Sequence, residues 1–166
     1  MASSAAKAIG FAGLACGVMD IAAALTVYGG LGIPPLRLLQ GVATGAIGAS
    51  AYSGGVPTAL LGLFFHFVVA FGAATVFYFA SRGLRFLVSG AVLSGMAYGI
   101  AVYFFMDRLV VPLSAAKPRG FNLKFMIIGL IIHIFCVGLP IALAIRKFGG
   151  SGSPNTSAVG VSVSPA

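Results

Sequence analysis

The chain has 166 residues, of which 60% are hydrophobic and only 7% are charged, and its mean hydropathy is +1.10. A soluble globular domain carries about 25% charged residues, so this composition excludes an ordinary water-exposed surface. Ten Lys and Arg against two Asp and Glu give a net charge of +8. The cations are scattered over segment ends and loops, as in proteins that meet anionic lipid headgroups. We therefore expect the lipid bilayer as a partner, and no nucleic acid.

Four apolar segments are long enough to cross a bilayer, which takes about 20 helical residues. In chain order, spans are predicted over residues 8–30, 57–80, 84–111 and 122–145. The stretch 36–51 is apolar but short and contains Arg37 and Gln40, which favours an interfacial or re-entrant helix. Residues 148–166 are uncharged and rich in Gly, Ser and Pro, which predicts a disordered tail. The expected fold is a single all-α domain over 1–147, an integral membrane four-helix bundle.

The beginning of the chain has some features of a cleavable signal peptide. Lys7 precedes an apolar run, and small residues follow near Ala22. The run extends well past the length of a signal-peptide core, however, and Asp20 interrupts it. We expect a retained transmembrane helix here.

Three ionisable side chains lie near the middle of separate predicted spans: Asp20, His66 and His133. A titratable group at membrane depth is costly, so it normally faces the bundle interior, finds a partner and marks a functional site. Each of the three shares a helix face with Gly or Ala residues, which is the face expected to pack inward. Tyr98 is predicted near the centre of the third span, so the four side chains are expected to meet at one depth as a polar centre.

This polar centre admits several functions. The preferred hypothesis is proton- or ion-linked transport of an unidentified substrate through Asp20, His66, Tyr98 and His133. The alternatives are a hydrogen-bonded latch in an assembly or scaffold protein that binds another membrane subunit or its own copies, and a haem or metal protein. In the last case His66 and His133 would be ligands, with Cys16 and Cys136 as weak candidates.

No sequence motif identifies an enzyme or a cofactor. The chain has no Cys-x-x-Cys, and the Gly41–Gly48 stretch lacks the Lys-Ser/Thr that completes a phosphate loop. We expect no catalytic residue and no resident cofactor. Asp107 is followed by Arg108 at a span end, which predicts a local interfacial ion pair.

Several blocks of the chain resemble a family of small bacterial inner-membrane proteins. They are Gly17-Val18-Met19-Asp20-Ile21, Leu38-Leu39-Gln40-Gly41-Val42-Ala43, Gly62-Leu63-Phe64-Phe65-His66-Phe67, Tyr98-Gly99-Ile100-Ala101-Val102-Tyr103, Val110-Val111-Pro112-Leu113-Ser114 and His133-Ile134-Phe135-Cys136-Val137-Gly138-Leu139-Pro140. The resemblance covers residues 10–147. It implies a multi-pass inner-membrane location and four helices, but no activity, because the family has no established one.

Four crossings place both termini on the same side of the membrane. The two sides carry five Lys/Arg each, so the positive-inside rule gives no clear orientation. Cytoplasmic termini are weakly favoured because Arg82, Arg85 and the Arg146-Lys147 pair lie tight against their helices.

Overall fold

The protein is an all-α bundle, and its computed structural model describes residues 2–117 and 120–149. The α-helices of this part of the chain are α1 (Ala2–Gly30), α2 (Pro35–Ile47), α3 (Gly55–Gly83), α4 (Phe86–Ser89), α5 (Ala91–Leu113) and α6 (Leu123–Phe148). A 3₁₀-helix, Gly48–Ser53, connects α2 to α3. The described residues contain no strand. Helices α1, α3, α5 and α6 are each long and apolar enough to cross a membrane. The predicted four-helix membrane bundle is therefore confirmed.

Helix α5 differs most from its predicted bounds of 84–111. Helix α3 ends at Gly83, α4 is a single turn, and Gly90 (φ −99°, ψ 42°) separates that turn from α5. Helix α5 therefore starts only at Ala91. At its other end it widens into a π-helical stretch, Met106–Val110, and stops one residue beyond Pro112.

Helix α6 begins where its sequence predicts and ends slightly later. The Asn122 side chain accepts a hydrogen bond from the Phe125 backbone N–H (3.2 Å), which caps the first turn. The helix contains a second π-helical stretch, His133–Gly138, and continues to Phe148 rather than residue 145. Of the tail predicted at 148–166, Phe148 still belongs to the helix, and residues 150–166 lie outside the described part of the chain.

Neighbouring helices in the bundle run antiparallel. Helix α1 packs on α3, with Gly13 against Phe71 and Gly17 against Phe67. Helix α1 also packs on α6, where Tyr28 contacts Phe125 at one end of the bundle. Helix α5 crosses α6 closely, as described below. Helix α1 therefore lies between α3 and α6.

This arrangement gives the bundle two ends. The terminus face contains the start of α1, the α3–α4 turn and the end of α6, where Phe11 stacks on Phe148 (4.6 Å between centroids). The loop face contains α2 and the connection from α5 to α6. A backbone hydrogen bond from Ala115 N–H to the Gly45 carbonyl (3.0 Å) joins these two parts of the loop face.

Helix α2 lies against the first turns of α3. Its 13 residues span about 20 Å, short of the roughly 30 Å hydrocarbon core, so α2 is not a fifth crossing. Buried Gln40 donates to the Gly55 carbonyl (3.0 Å) and to the Thr58 hydroxyl (3.3 Å). The Leu39 carbonyl lies against Gly62, where a side chain would have no room.

The α5–α6 crossing depends on glycine. A Cβ on Gly99 would lie 2.7 Å from Ile134 Cα and 2.9 Å from the His133 carbonyl carbon. Across the contact, Gly138 lies directly against the backbones of Gly95 and Gly99. Small residues allow helices to approach this closely in a membrane, where van der Waals packing replaces the hydrophobic effect.

The shared apolar core occupies the half of the bundle nearer the terminus face. Its buried members are Ala8, Ala12, Cys16, Ala70, Ala74, Phe77, Tyr78, Ala91, Val137, Ile141, Ala142 and Ile145. Cys16, Ala70 and Val137 are the members nearest to Asp20, His66 and His133 along their helices, each about one turn away. The three titratable residues therefore lie at the loop-side boundary of the core.

Candidate functional site

Asp20, His66 and His133 lie at the same depth below the loop face. Asp20 is ten residues before the end of its span at Gly30, His66 eleven after Gly55 and His133 ten after Leu123. At 1.5 Å per residue, each is about 15 Å from the loop-side end of its helix. That depth corresponds to the middle of a roughly 30 Å hydrocarbon core.

Asp20 and His66 face each other across the contact between α1 and α3. Asp20 Oδ2 and His66 Nδ1 are 3.8 Å apart, and 17% of the Asp20 side chain and 12% of the His66 side chain are exposed. The separation is too long for a direct hydrogen bond. It suits an electrostatic contact, or one water molecule between the two groups.

A backbone contact fixes the orientation of the His66 ring. His66 Nε2 lies 2.9 Å from the Gly17 carbonyl oxygen. A carbonyl only accepts hydrogen bonds, so Nε2 must carry a proton. In the neutral imidazole the lone pair is then on Nδ1, the nitrogen that faces Asp20. The ring is held with its proton-accepting nitrogen next to a carboxylate.

Gly17 brings the two helices close enough for this contact. Its Cα faces the Phe67 ring, and a Cβ there would lie 2.6 Å from that ring. The Phe67 ring in turn meets the His66 ring edge-on, with 5.4 Å between centroids. Gly17, Phe67 and the Gly17 carbonyl together position the imidazole.

His133 lies apart from this pair in its interactions. Its Nδ1 donates to the Gly129 carbonyl one turn earlier in α6 (2.9 Å), and its ring meets Tyr103 of α5 edge-on at 5.3 Å. The Tyr103 ring also packs on Gly129. His133 is the first residue of the π-helical stretch, a type of irregularity that is frequent at functional sites.

Tyr98 lies farther from the loop face than the other three residues, and the prediction that it shares their depth was wrong. It is fifteen residues before the loop-side end of α5 at Leu113, so it lies about one turn nearer the terminus face than Asp20 or His66. Its hydroxyl donates to the Ala73 carbonyl of α3 (2.7 Å), and its ring contacts Phe77 (4.9 Å between centroids). Tyr98 joins α5 to α3 rather than hydrogen-bonding Asp20 or a histidine.

The proposed metal and haem ligands do not form one cluster. Cys16 and Cys136 are both free thiols, the first buried and the second partly buried. Within residues 2–117 and 120–149, no group of three or more His, Cys, Asp or Glu side chains is arranged to hold a metal ion. His66 and His133 each use one ring nitrogen for a backbone carbonyl, on different helices.

The remaining acidic side chain forms the predicted local contact. Asp107 Oδ2 lies 3.0 Å from Arg108 Nε, and both side chains are about half exposed or more. Asp107 thus forms an interfacial ion pair with Arg108 at the loop end of α5. Asp20 is therefore the acidic residue at mid-depth.

Two groups that contact the histidines, the Gly17 carbonyl and the Tyr103 ring, were not predicted from the sequence. A backbone carbonyl has no sequence signal. Tyr103 follows Gly99 by one helical turn, so it had a signal: it shares the α5 face that packs on α6.

Comparison of the chain with models of protein families, with curated proteins and with solved structures found no match. The fold and the polar pair therefore define the class of protein, a helical bundle with four membrane-length helices and an Asp–His contact at mid-depth. Any activity has to be argued from that contact.

Proposed function

We propose that the protein is a proton-linked membrane transport protein in which Asp20 and His66 form the proton-binding element. The observation that supports this most strongly is the orientation of His66. The Gly17 carbonyl holds Nε2–H, so in the neutral ring the lone pair is on Nδ1, the nitrogen that lies 3.8 Å from the Asp20 carboxylate.

The charge states of the pair explain how it would work. With one proton bound, the pair is either an Asp⁻–His⁺ ion pair or two neutral groups, and its net charge is zero in both cases. With no proton bound, Asp20 carries an uncompensated negative charge at mid-depth, which is costly. In the proposed mechanism the pair binds one proton and releases it when a cation takes its place or when the pair gains access to water. This alternation is what coupling of a proton to transport requires.

The partial exposure of both side chains supports the same role. A purely structural ion pair gains most when its members are sealed and saturated with hydrogen bonds. Here 17% of the Asp20 side chain is exposed, and its partner His66 lies 3.8 Å away, beyond the distance of a direct hydrogen bond. In the proposed role a proton binds the carboxylate without breaking a direct hydrogen bond to His66.

The proposed location is the bacterial inner membrane, with both termini in the cytoplasm. The resemblance of residues 10–147 to small bacterial inner-membrane proteins supports the compartment. The antiparallel order of α1, α3, α5 and α6 supports termini on one side. Lys and Arg residues flank α3 and α6 closely at the terminus face, as on the cytoplasmic side of many membrane proteins.

The experiment is proton uptake into proteoliposomes. Purified protein is reconstituted into potassium-loaded vesicles with an internal pH dye, and valinomycin sets an inside-negative potential. Asp20→Asn keeps the size of the side chain but removes its charge. His66→Gln keeps a donor for the Gly17 carbonyl but removes the titratable nitrogen. Each variant is expected to lower protein-dependent uptake at least about tenfold, because proton-relay groups typically contribute 10²-fold or more.

Two matched variants control for charge and for histidine content. Asp107→Asn removes an acid from the loop-face ion pair, and His133→Gln removes the other mid-depth histidine. Both are expected to keep uptake within about twofold of the unsubstituted protein, since Asp107 pairs with Arg108 and His133 bonds the Gly129 carbonyl of its own helix. If the unsubstituted protein gives no uptake above empty vesicles, or if Asp20→Asn and His66→Gln only lower thermal stability, the pair is a structural latch and the proposal is wrong.

A further inference from the structure

A shallow groove of about 320 Å³ opens on the membrane-facing side of α1 and α3, near the terminus face. Phe11 and Leu14 of α1 and Phe71 of α3 form its walls, and Gly10 lies at its floor. Lys7 lies at the end of the groove nearest the terminus face. Its volume is at the lower end of the range of ligand sites, and its lining is apolar.

We propose that this groove binds one acyl chain of an anionic phospholipid whose headgroup pairs with Lys7. The apolar walls match a hydrocarbon chain, because Phe11 and Leu14 are both more than half exposed on a helix that spans the membrane. The open floor matches it as well: a Cβ on Gly10 would have no atom within 4 Å. The missing side chain leaves a channel along α1 that begins one turn from Lys7.

Charge complementarity identifies the headgroup. The chain has two acidic side chains, and both are engaged elsewhere, Asp107 with Arg108 on the loop face and Asp20 with His66 at mid-depth. Asp20 is also thirteen residues from Lys7 along one helix, about 20 Å away. No acidic side chain is therefore available to neutralise the Lys7 ammonium. A phosphodiester at the membrane surface can do so.

The end of α6 adds to the positive charge beside the groove. The Phe148 ring stacks on Phe11, and Lys147 Nζ lies 5.4 Å from the centre of that ring. The Phe11–Phe148 contact therefore brings Lys147 to the same end of the bundle as Lys7, at the depth of the headgroups. Two ammonium groups favour a lipid with net negative charge over a zwitterionic one.

The experiment measures lipid binding to purified protein in mild detergent by native mass spectrometry. Phosphatidylglycerol and phosphatidylcholine with identical acyl chains are the two probes. The unsubstituted protein is expected to retain one phosphatidylglycerol in preference to phosphatidylcholine. Lys7→Gln should reduce this preference about fivefold, the equivalent of the ~1 kcal/mol that one Lys contributes at an anionic surface. Lys124→Gln, on the loop face, should leave it unchanged.

A second pair of variants tests the apolar part of the groove. Gly10→Leu places a side chain in the open space and is expected to reduce retention of both lipids at least about fivefold, because the acyl chain is displaced. Gly29→Leu is the control, since Gly29 also has open space around its Cβ but lies at the far end of α1. Equal retention of the two lipids by the unsubstituted protein would overturn the proposal. So would unchanged retention in Lys7→Gln or in Gly10→Leu.

Discussion

Substitution of Gly99 by alanine tests the packing of the bundle with a single methyl group. The new Cβ would lie 2.7 Å from Ile134 Cα, whereas ordinary contact begins at 3.4 Å. The atoms it meets belong to the backbone of α6, so no side chain can move aside. The His133 carbonyl oxygen is closer still, so helices α5 and α6 must separate by at least about 0.7 Å or shift past one another. Overpacking of this kind costs about 1–3 kcal/mol.

Gly72→Ala is the matched control. Gly72 lies in α3 and has open space around its Cβ. Alanine there adds no clash and favours the helix by up to about 1 kcal/mol. The two substitutions are the same chemical change in two membrane helices, but their effects on the free energy of unfolding should have opposite signs.

The assay is reversible unfolding of purified protein in mixed micelles, followed by circular dichroism as the fraction of denaturing detergent rises. Gly99→Ala is expected to unfold at a lower fraction than the unsubstituted protein, and Gly72→Ala at the same or a higher one. If Gly99→Ala is as stable as Gly72→Ala, the close α5–α6 crossing is wrong.

Three further predictions concern the loop face and the polar pair. Gln40→Leu removes the two hydrogen bonds that the Gln40 side chain makes to Gly55 and Thr58. At about 1 kcal/mol each, their loss should raise the hydrogen-exchange rate of α2 amides roughly tenfold or more and leave the rate in α6 unchanged. An unchanged rate in α2 would refute the contact. In a chain without Cys16 and Cys136, the pair Gly45→Cys and Ser114→Cys should form a disulfide on mild oxidation, because the two Cβ positions are 3.9 Å apart and a disulfide needs about 3.8 Å. The pair Gly83→Cys and Ser114→Cys, on opposite faces of the bundle, should form none. The reverse result would contradict the topology. Gly17→Ala should lower proton uptake although no titratable group changes. The new Cβ would meet the Phe67 ring at 2.6 Å and displace the Gly17 carbonyl that holds His66. Uptake equal to that of the unsubstituted protein would show that the orientation of His66 by this carbonyl is unimportant.

The number and approximate positions of the spans were predictable from composition and segment length alone. The shared depth of Asp20, His66 and His133 was also predictable, because it depends only on distance along each helix. The depth of Tyr98 was not. Helix α5 starts at Ala91 rather than at residue 84 and continues to Leu113, so its centre lies nearer the loop face than predicted and Tyr98 is about one turn from the level of the other three residues.

The lateral partners of the polar residues could not be predicted. Helical spacing shows which residues share a face of one helix, but not which neighbouring helix that face meets. On α3 the Gly62 part of the face packs on α2, whereas His66, one turn later, faces α1. The π-helical start at His133 has no sequence signal, and there the imidazole donates to its own helix.

The central claim is that Asp20 and His66 act as one proton-binding unit, and a double-substitution cycle tests it most directly. Proton uptake into proteoliposomes is compared for the unsubstituted protein, Asp20→Asn, His66→Gln and the variant with both changes. Residues that act as a unit are strongly non-additive. The proposed unit predicts that the double variant is no slower than the slower single variant. Losses that multiply, or single variants with normal uptake, would contradict it.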